Sequence, residues 1–353
     1  MKRHWSPKHE GIYMKKSRFI SALGFALVLG FVLAAMFASC GGGGDDWPGI
    51  GGGDGGSTAV PGPYNDLATR LKSVMDNAQD GGTYIIEISN DEATGVIELS
   101  GFSYPTLMLN GITIILRGMG GVRTISSNSS VGLYLINVDW GVTLVLDNIA
   151  LLRRGSTNSL VRVGFSGTLV MNAGSRITGS TGYGVEVLRD GNFTMNGGEI
   201  SDNRFGGVKI DAGTFIMNGG RISGNHSSGV EVRGGGAFTM NGGEISGNSA
   251  NGYGGGVFGT LTMNGGEISG NFASRGGGVY GSDIRIINGT IYGSDAPANL
   301  RNTVDTYDEG GAALYVSGDA GAEYGTFNGT TWNRTGSLGT TDNTIRVVNG
   351  ALR

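Results

Sequence analysis

Cysteine is almost missing from this chain. Cys40 is the only one in 353 residues, so no intrachain disulfide can hold any part of it. Proline is nearly as scarce, with 6 residues against 70 glycines, which excludes a collagen-like helix and disfavours a proline-rich linker. Of the three histidines, only His226 lies beyond the first forty residues. That removes multi-histidine zinc sites and weakens any Ser-His-Asp arrangement. Charge of either sign is also thin. The net value is −4, and no run of lysine and arginine occurs in the repeated region, which argues against nucleic acid as a partner. No cofactor or metal site is expected.

What the chain does contain is one phrase written four times. Phe193–Asn203 reads FTMNGGEISDN, Phe215–Asn225 FIMNGGRISGN, Phe238–Asn248 FTMNGGEISGN and Leu261–Asn271 LTMNGGEISGN. Ile177, Ile200, Ile222, Ile245, Ile268 and Ile291 recur at 22 or 23 residues. A unit of that length cannot bury its own apolar face, so copies must stack on one another. Each unit offers three short strands, as in Phe193-Thr194-Met195, Glu199-Ile200-Ser201 and Val185-Glu186-Val187. Alternation sends Phe193, Met195, Ile200, Val185 and Val187 inward and Thr194, Glu199, Ser201 and Glu186 outward. Paired glycines mark the corners, where positive φ is required.

The expected organisation has five parts: an export signal over 1–40, a glycine-rich tether over 41–62, an N-terminal capping helix within 63–82, the strand stack over 83–294 and a β-rich cap over 295–353. In the first, Lys15, Lys16 and Arg18 precede an apolar stretch from Phe19 to Phe37 and then Ala38-Ser39-Cys40. This resembles the lipobox of bacterial lipoproteins, departing from it at Phe37 where that pattern usually has leucine. The resemblance implies acylation of Cys40, a membrane partner through the lipid, and residence in the bacterial cell envelope, at the outer membrane or cell surface. The same apolar stretch is also just long enough for an uncleaved span. The tether's GGGDGG occurs once and lacks the period of calcium-binding glycine-aspartate repeats. Asn65 is a candidate cap for a helix reaching about Ala78, with Leu67, Leu71, Val74 and Ala78 on one face. Such a helix would close the open end of a strand array. Beyond the period, Ala312–Val316, Tyr324–Phe327 and Thr344–Val348 read as cap strands, with Trp332 as a packing anchor.

Stacking turns identical positions into files. Asn172, Asn196, Asn218, Asn241, Asn264 and Asn288 form one corner file that reads as a structural asparagine ladder, and Asn203, Asn225, Asn248 and Asn271 form a second. Outward charges alternate in sign through Arg162, Glu186, Lys209 and Glu231, and again through Arg176, Glu199, Arg221 and Glu244. Opposite charges on adjacent strands contribute a few tenths of a kcal/mol, about 0.2–1 at most, and like charges cost as much. Glu244 and Glu267 break the pattern, and such a pair can share a proton or bind a cation. After Glu231 the first charge file continues as Phe258 and Tyr280, with Tyr253, Phe272 and Tyr292 in nearby turns. These five aromatics are the candidate ligand-binding strip, able to stack on sugar rings or pack against a host or matrix protein. A C-terminal segment folded over the strip is the competing reading.

The period and strand pattern from Tyr84 to Tyr292 resemble the right-handed parallel β-helix, the pectate-lyase-like fold, which implies an all-β solenoid of three-strand coils. That family includes lyases and glycoside hydrolases of acidic polysaccharides, so catalysis is the alternative function. Its weak candidates are Asp202, Asp211, Lys209 and Arg233, of which Asp211 and Arg233 share a file and read equally as a salt bridge. NSANGYGGGVF at Asn248–Phe258 and NFASRGGGVY at Asn271–Tyr280 are similar to the repeats of polymorphic outer-membrane adhesin passengers. This resemblance implies surface binding or adhesion, here without that family's C-terminal barrel.

Overall fold

Three parallel sheets wind about a common core. In the computed structural model the described residues are 58–59, 66–100, 102–103, 107–108, 111–127, 134–153, 158–305, 310–317, 321–328 and 331–353. They belong to one compact unit, Gly53–Arg353. The export signal, Cys40 and nearly all of the tether lie outside the described residues.

The sheets contain twelve, eleven and nine strands and are named here sheets 1, 2 and 3. From Val142 to Val316, seven successive turns each give one strand to every sheet, and two less regular turns precede them. Register is kept without slippage through the motif: Ile177, Ile200, Ile222, Ile245 and Ile268 are consecutive partners in sheet 2. The chain is therefore an all-β parallel β-helix.

Packing follows the period-two alternation. Phe193, Met195, Ile200, Val185 and Val187 are buried, while Thr194, Glu199, Ser201 and Glu186 are half-exposed. Inside, Phe193, Phe215 and Phe238 stack with centroids 4.6 and 5.0 Å apart and planes 7° and 11° from parallel. Such pairs add about 0.5–1.5 kcal/mol each beyond area burial. The second glycine of each Asn-Gly-Gly turns the corner. Gly243 has φ +87°, and a Cβ there would meet the Gly220 carbonyl oxygen of the turn below at 2.7 Å. Any side chain would push the turns apart.

The helix Leu67–Asn77 buries Leu71 and Val74 with Leu67 against the first turns. Its cap is Asp66, one residue after the expected Asn65, which lies outside the described residues. Asp66 accepts from Thr69 N (2.8 Å) and Thr69 Oγ1 (2.9 Å), bonds that hold its carboxyl below the usual range. The sequence spacing also offers a strand at Thr106–Leu109, but its described part, Leu107–Met108, pairs antiparallel with Phe102–Ser103 outside the three sheets. A strand not anticipated, Arg123–Ser127, fills that level of sheet 2.

The expected boundary at residue 294 falls inside the stack. Leu314–Val316 adds a parallel strand to sheet 3 and Ala322–Phe327 one to sheet 1. Within the three main sheets, antiparallel pairing begins only with Trp332–Leu338, Ile345–Val348 and Ala351–Leu352, which close the edges of sheets 1 and 2. The period fails before this because the residues between the last strands lengthen, which hides the continuing register. Trp332 is half-buried and is tied by its Nε1 to Glu323 Oε2 at 2.8 Å rather than sunk in the core.

Candidate contact face

The outer surface of sheet 3 changes character along the axis. Its outward file runs Glu98, Asn137, Arg162, Glu186, Lys209, Glu231, Phe258, Tyr280 and Tyr315, each a register partner of the next. The charged half satisfies itself. Arg162 reaches Asp139 (2.9 Å) and Asn137 (2.8 Å), and Lys209 reaches Glu186 (2.9 Å). Burial opposes the Lys209 charge, yet the bond and charge of Glu186 outweigh it and hold the ammonium above its ordinary value. Glu231, only 7% exposed, accepts from the Tyr183 hydroxyl at 2.7 Å and from Arg233 Nε. Burial first, and the bond to Glu231 second, raise the Tyr183 hydroxyl well above the normal tyrosine range.

The aromatic half is different. Phe258 and Tyr280 lie 5.7 Å apart, Tyr253 and Tyr280 4.6 Å, and Tyr280 and Tyr315 4.9 Å, all within 27° of parallel. The Arg233 guanidinium sits 5.4 Å from the Phe258 centroid and that of Arg275 5.7 Å from Tyr315. Tyr315, from beyond the recognisable period, lengthens the file by one turn. Phe258, Tyr280 and Tyr315 remain half-buried and Tyr253 is 46% exposed. Because the rings stack on one another, the strip offers a sugar less open ring face than separate rings would. Phe272 lies at a corner, where its strand pairs with Thr303-Val304, and Tyr292 follows the last parallel strand of sheet 2. Neither joins the file. Burial, then Glu267, raises the Tyr292 hydroxyl.

Three of the four catalytic candidates are brought near one another and the fourth is not. Lys209, Asp211 and Arg233 share adjacent strands of sheet 3. Asp202 stands at the corner after sheet 2, with φ +56° at the position that Gly224, Gly247 and Gly270 take in later turns at φ 63–64°. It is a corner residue. Among the described residues no ion pair joins Asp211 to Arg233, because the buried Glu231 carboxylate captures the guanidinium. Glu244 and Glu267 are register partners as expected, and among the described residues no group of three or more His, Cys, Asp or Glu could hold a metal.

Both asparagine files exist, and they differ. In the exposed one, Asn196, Asn218, Asn241 and Asn264 each donate Nδ2 to the Oδ1 of the preceding asparagine at 2.7–3.2 Å. Asn288 leaves that ladder and accepts from Asn349 N at 2.6 Å, because the antiparallel cap arrives there. The second file is buried at 0–1% exposure, and Asn302 extends it. Asn203, Asn225, Asn248 and Asn271 each donate Nδ2 to the Oδ1 of the next member (2.8–3.0 Å) and to an isoleucine carbonyl of the preceding turn, such as Asn248 to Ile222 O at 3.0 Å.

Shallow depressions flank the face. One, of about 200 Å³, is lined by Ser227, Glu231, Arg233, Tyr253 and Phe258. Another, of about 260 Å³, is lined by Arg233, Phe258, Tyr280 and Ser317. No family model matches this chain, no curated protein matches it, and no solved structure matches it.

Proposed function

We propose that this protein is a binding rod of the bacterial cell envelope, held to the membrane through Cys40 and acting in surface binding or adhesion. The observation that carries the reading is the switch in the sheet 3 file. Charges that pair among themselves give way after Glu231 to four half-exposed or exposed rings bordered by Arg233 and Arg275. Self-paired charges leave little for a partner, whereas contiguous exposed aromatic surface marks a contact site. The adhesin-like repeats Asn248–Phe258 and Asn271–Tyr280 supply the core of this strip. The apolar stretch, small residues and lone cysteine that end at Cys40 support lipid anchorage.

The test is binding of the full-length chain to panels of glycans and matrix proteins, compared with Phe258→Ala/Tyr280→Ala. Saturable binding that the double variant weakens supports the contact face. Turnover of acidic polysaccharide, lost in Asp211→Ala or Arg233→Ala, would overturn it in favour of the enzyme. Metabolic acyl labelling that persists in Cys40→Ala would defeat the anchorage.

A further inference from the structure

A further depression of the described surface lies beside the aromatic file and is shaped by a change in corner length. Eight residues separate Ile200 from Val208 and Ile222 from Val230, but twelve separate Ile245 from Val257. The longer corner stands out over its two shorter neighbours and walls off a space of about 550 Å³. Tyr183, Arg204, Phe205, His226, Ser249 and Asn251 line it. The volume falls within the range of small-molecule sites, about 300–1,000 Å³.

Phe205 sets this place apart from the ring file. It is 47% exposed and meets Tyr183 edge-on, with centroids 6.3 Å apart and planes at 64°. Among the described residues no ring or guanidinium lies parallel over it. An aromatic face is negative and its edge positive, so an uncovered face attracts weakly positive C–H groups. The axial C–H face of a pyranose has that chemistry, and its equatorial hydroxyls project sideways from the stacked ring. Donors and acceptors stand where those hydroxyls would reach. Arg204, His226 and Ser249 each follow a buried ladder asparagine on successive turns, as the bonds Arg204 N to Ser180 O, His226 N to Asn203 O and Ser249 N to Asn225 O record. The ladder fixes the backbone, so the residues after Asn203, Asn225 and Asn248 point outward as a polar file of three, which Phe272 ends in the next turn. Arg204, His226 and Ser249 are all exposed.

We propose that this depression is a saccharide subsite, in which a pyranose stacks on Phe205 and is hydrogen-bonded by Arg204, His226, Ser249 and Asn251. The inference rests on the contact-face reading and selects glycan over protein as the ligand. The experiment titrates the full-length chain with soluble hexose, N-acetylhexosamine and uronate oligosaccharides, with matrix proteins in parallel. The expected result is binding of at least one oligosaccharide that falls about tenfold in Phe205→Ala and is largely kept in Phe205→Tyr. Proton spectra should show upfield-shifted sugar C–H resonances that Phe205→Ala abolishes, a signature that a structural role for the ring would not produce. Oligosaccharide binding unchanged in Phe205→Ala, or binding of matrix proteins alone, overturns the subsite while leaving the contact face standing. No binding in any arm overturns both.

Discussion

Truncating the two asparagine files at equivalent depth should have unequal consequences. Asn248 is fully buried and makes four side-chain bonds. Its Oδ1 accepts from Asn225 N (3.1 Å) and Asn225 Nδ2 (2.8 Å), and its Nδ2 donates to Ile222 O (3.0 Å) and Asn271 Oδ1 (3.0 Å). In Asn248→Ala, Asn225 Nδ2 keeps Ile200 O, and Asn271 Oδ1 keeps Asn248 N. Asn225 N loses its partner where water cannot reach, and Ile222 O loses one bond while staying in the strand ladder. At about 1–3 kcal/mol for the stranded donor and about 1 kcal/mol for the lost second bond, the cost is about 2–4 kcal/mol. Asn241 loses two bonds in Asn241→Ala, to Asn218 and from Asn264, but it is exposed and its partners can turn to water. That cost is about 1 kcal/mol. Turns couple chiefly to their neighbours, so the buried defect should also split the unfolding transition. Urea denaturation followed by circular dichroism measures both. Equal midpoint shifts for the two variants would refute the claim that burial, rather than the ladder pattern, makes the second file stabilising.

Further outcomes follow from the same geometry. Phe215→Ala removes the middle ring of the internal stack and should cost about 3–5 kcal/mol, with Phe215→Leu costing clearly less, in the same urea assay. Tyr183→Phe leaves Glu231 Oε2 without its donor in a buried site and should cost about 1–3 kcal/mol at neutral pH. Because the folded Tyr183 hydroxyl is raised, its contribution is intact below the ordinary tyrosine pKa of about 10 and is lost as pH climbs above it. Wild type should therefore lose more stability than Tyr183→Phe between mildly and strongly alkaline buffers; parallel declines would contradict the assignment.

How much was visible in the bare sequence depended on whether repetition carried it. The isoleucine file, the inward phenylalanines and the alternating outward charges all repeat, and the fold reproduces their register. Asn302 and Tyr315 belong to the same files but were hidden, because insertions between the last strands break the spacing that marks their predecessors. The partner of Arg233 was misread for another reason. A file places Asp211 beside it, but a buried carboxylate two residues back on its own strand, Glu231, competes more strongly than an exposed one across a turn. The stacking of the rings and the opening at Phe205 were not legible. Both depend on side-chain angles and on a corner four residues longer than its neighbours, and no periodic signal reports either. Trp140 and Phe165 were missed likewise: they are 42% and 43% exposed and stack at 5.3 Å from corners with positive φ.

Every functional statement depends on equivalent residues being aligned along one axis. The direct measurement is a pulsed electron-spin distance between labels at Thr143→Cys and Ala237→Cys in a Cys40→Ser background. These positions end the register series Thr143, Thr168, Asn192, Thr214 and Ala237 in sheet 1. Four strand spacings of about 4.8 Å predict a narrow distribution centred near 19 Å. A broad distribution, or one centred beyond about 30 Å, would contradict the stacked register.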